Sequence, residues 1–188
     1  MPKPVLILRW FVAILVLVGL WQSGIAALSA GKAWLAPVLI ERAWAAGETG
    51  PVSPPWPWAD GRPEAVIEAP ALEVKRYVLS DASMRMLAFG PVSLQTEAGR
   101  VFFGHNDTHF SFLQTLEHGD VLQVTGGDRV RRSYQVTGFE IMEEDAIRLP
   151  VDESGGYGQV VLITCYPFDA RISQSSQRYV VTALAMPN

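Results

Sequence analysis

The chain has 188 residues, of which 49% are hydrophobic, and a formal net charge of −4 at pH 7. This length suits one ordinary domain, and a mean hydropathy of +0.17 leaves room for a strongly apolar segment beside it. Lys and Arg are scattered and outnumbered, which excludes the basic patch that nucleic-acid binding needs, so no nucleic-acid partner is predicted.

The first predicted element is the uncharged apolar segment at residues 10–30, WFVAILVLVGLWQSGIAALSA. A helix of about twenty residues, rising about 1.5 Å per residue, spans the roughly 30 Å hydrocarbon core of a bilayer. A cleaved signal peptide is the alternative, because Ala-Leu-Ser-Ala at 27–30 fits a cleavage site. The apolar run exceeds the length of about 7 to 15 residues typical of signal peptides, which favours an uncleaved anchor.

Charges around this segment indicate its orientation. Lys3 and Arg9 precede it, whereas the charges just after it nearly cancel, so residues 1–9 are predicted to be cytoplasmic and the rest of the chain extracytoplasmic. Residues 31–55 read as a juxtamembrane helix, with a kink expected at Pro37, followed by a linker rich in Gly and Pro. A folded domain is predicted over residues 56–188.

This domain has the pattern of a mostly β fold. Alternating or β-branched runs bounded by Gly, Asp and Pro predict strands at residues 65–67, 72–78, 101–103, 120–125, 133–141, 159–164 and 178–185. Their spacing fits a mostly antiparallel barrel or sandwich. Short helices are expected at residues 81–88 and 108–116, the second capped by Asp107 or Thr108.

Few residues are able to do chemistry, since the chain has one cysteine, Cys165, and three histidines, His105, His109 and His118. Outside the cytoplasm a lone cysteine is a buried filler, an intermolecular link or a reactive group. A nucleophilic thiol needs a nearby imidazole and a fixed donor for an oxyanion. His105, Cys165 and Arg178 each stand at the end of a predicted strand, so they are the candidate set, with His109 as a competing base.

The sequence gives less support to a metal or cofactor site than to a cysteine nucleophile. His105 and His109 are spaced to share a helix face, but no third zinc ligand is evident. The acidic turn at residues 140–145 lacks the fixed ligand order of a calcium loop and reads as solvated. No Gly-rich loop precedes a helix, so neither a metal nor an organic cofactor is predicted.

Three stretches around these candidate residues resemble the sortase family. The matching stretches, in order, are GHNDTHFSFL at 104–113, LITC at 162–165 and QRYVV at 177–181. The family pattern has a histidine after a glycine, a Thr-Leu-x-Thr-Cys strand and an arginine opening the next strand; these fall on His105, Cys165 and Arg178. Val161 replaces the first threonine, a departure that bears on strand packing or substrate fit.

Three other stretches are most similar to the sortases of Gram-negative bacteria, called class GN: residues 56–60, 87–91 and 165–169. The resemblance implies a mostly β fold, an eight-stranded sortase-like β-barrel with short helices behind an N-terminal transmembrane helix. It also implies a single-pass protein of the inner membrane whose barrel lies in the periplasm.

The implied activity is that of a membrane-anchored cysteine transpeptidase. Cys165 attacks a threonine carbonyl in an LPxTG-like sorting signal to form a thioester, His105 protonates the departing amine, and Arg178 holds the oxyanion or substrate carbonyls. The implied partners are a secreted protein with a C-terminal LPxTG-like signal and an amine acceptor on the cell envelope or another protein. No cofactor is implied.

Supporting roles are expected around this set. Thr164 and Leu162 precede the cysteine on its strand, and Asp107, Tyr166 and Arg171 are expected beside the cleft, whose wall Tyr-Pro-Phe at 166–168 would line. Two other classes stay open: a cysteine protease or hydrolase with the same Cys/His pair, and a non-catalytic surface-binding barrel with an unreactive cysteine.

Overall fold

The computed structural model describes residues 4–48, 50–81, 83–96, 99–147, 157–169 and 175–187. The chain divides into two compact units, one ending at Val38 and the other beginning at Leu39.

The unit up to Val38 is helical. The helix α1 is assigned over Pro4–Ala46 and runs through Pro37 without a break, so the two helical segments predicted from the sequence are one element. Its segment Leu8–Ala27 has a mean hydropathy of 1.9, and none of it is buried. Length and composition make this segment able to cross a membrane, although a signal sequence near an N-terminus has the same properties.

The unit from Leu39 onward contains, within the described residues, a closed barrel of eight strands. The strands are β1 Pro63–Ala69, β2 Val74–Leu79, β3 Val92–Thr96, β4 Gly99–Phe103, β5 Val121–Thr125, β6 Arg131–Glu143, β7 Gln159–Cys165 and β8 Gln177–Ala185. Their order around the barrel is β1-β2-β3-β4-β7-β8-β6-β5, and β5 closes on β1. The β2–β3 and β4–β7 pairs are parallel and the others antiparallel, which confirms the predicted mostly antiparallel barrel.

The helical segments are shorter than the sequence predicted. The helix α2 spans Met84–Leu87 and is capped by Ser83, whose hydroxyl accepts a hydrogen bond from the Met86 amide at 3.3 Å. The helix expected at residues 108–116 is instead a set of turns followed by a 3₁₀ helix, Ser111–Thr115, with no side-chain cap. Two further 3₁₀ helices are Pro70–Leu72 and Glu144–Ala146.

Alternation along β7 assigns its side chains to two faces of the barrel wall. Val160 and Leu162 belong to the large buried cluster that fills the barrel, whereas Val161 and Ile163 belong to a separate cluster with residues of β4 and β8. Successive side chains of a strand point to opposite faces, so this second cluster lies on the outer face. Cys165 continues the series of Val161 and Ile163 and therefore faces outward.

The last turns of α1, from Leu39 on, pack within the barrel unit. Ile40 and Trp44 are buried, and the Tyr77 hydroxyl donates a hydrogen bond to the Glu41 carboxylate at 2.9 Å. The Arg129 guanidinium donates to the Trp44 carbonyl at 2.6 Å and lies 3.8 Å from the centroid of its ring. A cation stacked on an indole adds to the burial of these apolar side chains, so the end of α1 is fastened to the barrel.

Candidate active site

The single thiol stands where β7 leaves the sheet. Every residue of β7 from Gln159 to Thr164 is buried, whereas Cys165, the last residue of the strand, is exposed and forms no disulfide. A rigid strand therefore delivers the thiol to solvent. This exposure excludes the buried-filler interpretation of Cys165 and leaves a reactive or linking thiol.

The parallel pairing of β4 with β7 brings His105 and Cys165 to the same end of the sheet. Phe103 pairs with Ile163, and beyond that pair the Gly104 amide donates to the Ile163 carbonyl at 3.2 Å. The buried Thr164 hydroxyl in turn donates to the Gly104 carbonyl at 2.6 Å. His105 follows Gly104 just as Cys165 follows Thr164, so both stand at the same end of the β4–β7 pair.

Arg178 flanks the cysteine on the opposite side. In the antiparallel β7–β8 pair, Arg178 lies directly across from Cys165, so the two side chains share a face. Its Nη1 donates to the carbonyls of Ser175 and Gln177, both at 2.9 Å, and its Nη2 donates to the Glu144 carboxylate at 2.6 Å. The guanidinium is therefore held in a fixed position beside the cysteine strand.

The turns after β4 and β7 are joined to each other. Asn106 donates from its side-chain amide to the Pro167 carbonyl at 2.9 Å, which links the residue after His105 to the residue two places after Cys165. The Phe110 amide donates to the His105 carbonyl at 2.8 Å. A β-carbon at Gly104 would lie 2.6 Å from the Phe110 ring, so only glycine allows this packing. The glycine that precedes His105 in the sequence thus has a steric cause.

His109 is close to His105 but differs from it in surroundings. The two ring centroids are 6.4 Å apart, and the Arg76 side chain donates to the His109 carbonyl at 3.1 Å. Burial, and then the nearby His105 and Arg76, lower the pKa of His109, although a hydrogen bond with the Ala88 backbone opposes the change. The neutral imidazole is therefore the favoured form of His109.

This lowered pKa predicts a pH dependence of stability. Below about pH 6.5 His109 becomes protonated in the unfolded chain but stays neutral in the folded chain. The free energy of unfolding therefore decreases as the pH is lowered, until the pH drops below the folded-state pKa. Above that window the contribution is constant. We expect the melting temperature of the full chain to fall on acidification from about pH 7.5 to about pH 5, and a His109→Gln variant to fall less. Thermal unfolding at several pH values measures this, and parallel curves for both proteins would contradict it.

The residues after Cys165 join an aromatic cluster, defined here as His118, Phe139, Tyr166, Phe168 and Tyr179. Tyr179 is central to it: its ring centroid is 6.2 Å from that of Tyr166, 5.3 Å from Phe168 and 6.0 Å from Phe139, and His118 lies edge-on to Phe139. Phe168 and Tyr179 also pack against the interior of the barrel. The chain thus folds back over the barrel end after the Tyr166–Pro167 bond, which is cis.

The other predicted site residues divide by location. Leu162 is fully buried inside the barrel, so it supports the cysteine strand and is out of reach of a substrate. Asp107 is exposed in the turn after His105, and Tyr166 is half-buried in the aromatic cluster. Arg171 lies outside the described residues. Across the described ranges no group of three or more His, Cys, Asp or Glu side chains is arranged to hold a metal ion.

Two residues near the candidate set were not predicted from the sequence. Asn106 lies within the stretch 104–113 that resembles the family but was given no role there, and Glu144 belongs to a turn that reads as solvated. Their partners, Pro167 and Arg178, are 61 and 34 residues away along the chain. Only the register of the barrel brings these pairs together.

Fold and site together define a class of protein: a closed β-barrel with an exposed cysteine at a strand end, an arginine paired with it on one neighbouring strand, and a histidine just past the end of the other. A model of the sortase domain family matches residues 67–186. The chain belongs to the sortase family.

Solved structures agree on the fold. Sortase A from Corynebacterium diphtheriae superposes with a TM-score of 0.58 at 22% identity, covering 70% of this chain and 64% of that one. A pilus-related sortase C of Group B Streptococcus gives 0.56 at 22% identity, with 66% and 68% covered. Sortase C from Clostridium perfringens SM101 gives 0.55 at 19% identity, with 84% and 91% covered. These likenesses confirm the predicted sortase-like barrel. A comparison with curated proteins gave no match.

Proposed function

We propose that the chain is a membrane-anchored cysteine transpeptidase that cleaves an LPxTG-like sorting signal and transfers the carboxyl side to an amine acceptor. One observation carries the proposal. Cys165 stands exposed at the end of β7, with Arg178 paired to it on β8 and His105 just beyond the adjacent end of β4, in a chain of the sortase family.

In the first half of the reaction, the Cys165 sulfur attacks the carbonyl carbon of the threonine in the sorting signal. A carbon–sulfur bond forms, the threonine–glycine peptide bond breaks, and protonated His105 gives its proton to the departing amine. The product is a thioester acyl-enzyme, which splits one difficult step into two easier ones. The exposure of the thiol leaves room for an extended peptide to approach it.

In the second half, an acceptor amine loses a proton to His105 and attacks the thioester carbonyl. A new peptide bond forms, the sulfur leaves, and the starting enzyme is restored. In both halves negative charge develops on the carbonyl oxygen, and Arg178 is the fixed, permanently charged donor nearest to Cys165 along the β7–β8 ladder. One peptide bond replaces another, so the cycle needs no cofactor.

The same proposal assigns the segments of the chain. Residues 1–9 are cytoplasmic, residues 10–30 are a single-pass inner-membrane anchor, residues 31–55 connect, and residues 56–188 form the periplasmic catalytic domain. The apolar helical segment and the charges that flank it support this topology. The stretches that resemble class GN sortases support a Gram-negative subtype, whose substrate would be a secreted protein with a C-terminal sorting signal.

Product analysis tests the proposal. The full chain in detergent is mixed with LPxTG-type peptides varied at the x position, with and without a glycine-based amine. We expect mass spectrometry to show the ligated peptide when the amine is present. A cysteine hydrolase would give only the free acid under both conditions, and a surface-binding barrel would leave every peptide intact; either result would contradict the proposal.

A further inference from the structure

We propose that Glu144 is a positioning residue for Arg178, holding the guanidinium so that its remaining N–H groups face the acyl oxygen at Cys165. This inference rests on the proposed transpeptidase function and adds to it a carboxylate that never touches the substrate.

The contacts of Arg178 carry the inference. A guanidinium has five N–H donors. In the described part of the chain, backbone carbonyls engage Nη1 twice and Glu144 engages Nη2 once, at 2.6 Å. Among the contacts with described residues, the Nε proton and the second Nη2 proton are left to bind a substrate oxygen. Without the carboxylate, only the two Nη1 bonds would set the orientation of the group.

Glu144 is itself held in place by the strand ladder. It follows β6 directly and opens the 3₁₀ helix Glu144–Ala146, and its amide donates to the Ser176 carbonyl at 2.8 Å. The preceding residue, Glu143, pairs with Gln177 across the β6–β8 ladder. The backbone on both sides of the Glu144–Arg178 pair is therefore fixed, so the carboxylate acts as an anchored support and not as a passing surface contact.

The two side chains of this ion pair differ in exposure, which limits what the pair adds to stability. The Arg178 side chain is 19% exposed, whereas that of Glu144 is 65% exposed. Solvent screens an exposed ion pair, so this bond adds little to the stability of the fold. Its effect is expected in the placement of Arg178, where a small shift changes how the oxyanion is bound.

Glu143 supplies a matched control. Glu143 carries the same charge one residue earlier. Its carboxylate, however, accepts hydrogen bonds from the Ser176 hydroxyl at 2.5 Å and from the Gln177 side-chain amide at 3.1 Å. A Glu143→Gln variant removes one negative charge from the same corner of the barrel. It leaves the contact between Glu144 and Arg178 intact.

The test compares the full-length wild type, Glu144→Gln, Glu144→Asp and Glu143→Gln in the peptide-transfer assay. Rates are normalised to the folded fraction of each protein, measured by circular dichroism and thermal unfolding, because the exposed Cys165 is alkylated in folded and misfolded chains alike. We expect Glu144→Gln to lower kcat about fivefold with KM unchanged, because Arg178 acts in the transition state. Glu144→Asp should recover part of the loss, and Glu143→Gln should stay within about twofold of wild type. In an Arg178→Lys background, Glu144→Gln should add less than about twofold, since the partner that it orients is gone.

An independent readout separates failure of this inference from failure of the proposed function. In ¹⁵N-arginine spectra, the Nε signal of Arg178, assigned from its loss in Arg178→Lys, should shift in Glu144→Gln and stay in place in Glu143→Gln. If that shift occurs but the wild type transfers no peptide, the transpeptidase proposal fails. If the wild type transfers peptide and Glu144→Gln keeps its kcat, or lowers kcat equally in the Arg178→Lys background, the positioning role is overturned alone.

Discussion

The Cys165→Ala variant is expected to lose transfer of LPxTG-type peptides altogether while its barrel stays folded. Removal of the nucleophile closes the covalent route, and an effect of at least about a thousandfold on kcat is typical of such a change. The side chain is exposed at the end of β7, so its truncation opens no cavity, and the free energy of unfolding should change by less than about 0.5 kcal/mol.

Peptide transfer followed by mass spectrometry, together with thermal unfolding, measures both parts of this expectation. In the wild type, peptide supplied without an acceptor amine should leave an acyl mass on the tryptic fragment that contains Cys165. A Cys165→Ser variant serves as the matched control, because it keeps the shape of the side chain and offers a poorer nucleophile. Transfer that persists in Cys165→Ala would refute the role of this residue.

The second large effect is expected at His105 and not at His109. General acid–base catalysis contributes about a hundredfold to ten-thousandfold, so His105→Ala should lower kcat at least about a hundredfold. His105 follows β4 at the end of the sheet where Cys165 ends β7, whereas His109 lies in the turn beyond it and has a pKa lowered by burial. His109→Gln should therefore keep most of the transfer activity.

The rings of His105 and His109 are only 6.4 Å apart, which makes this pair a demanding comparison. Both variants should be compared at the same folded fraction, measured by thermal unfolding, because loss of a half-buried side chain at His109 also affects folding. An active His105→Ala together with an inactive His109→Gln would move the acid–base role to His109.

Strand ends were predictable from the sequence, but the register between strands was not. The glycine before His105, the apolar run before Cys165 and the polar start of β8 each mark the end of an element, and these patterns led to the candidate set. Which strand ends meet depends on the parallel β4–β7 pair, which joins segments separated by two other strands along the chain. In this case the family resemblance supplied what periodicity lacked.

The missed strand β3 and the missed Arg178 partner have physical causes. In β3 the apolar Leu94 is 46% exposed while Ser93 is buried against the Glu64 carboxylate, so burial along this strand does not follow the polarity of its residues. Glu144 lies in an acidic turn, and a carboxylate among other carboxylates gives no signal of a partner 34 residues away. Local patterns report burial and turns, whereas both of these features depend on neighbours across the barrel.

The hydrogen bond from Thr164 to Gly104 joins residues 60 positions apart, and it stands directly before the cysteine and the histidine. A contact of this sequence separation requires a large loop of chain to be ordered first. Under the proposed function, closure of the barrel therefore also assembles the site. We expect a substitution in a distant strand that opens the barrel to abolish peptide transfer without altering any residue of the site.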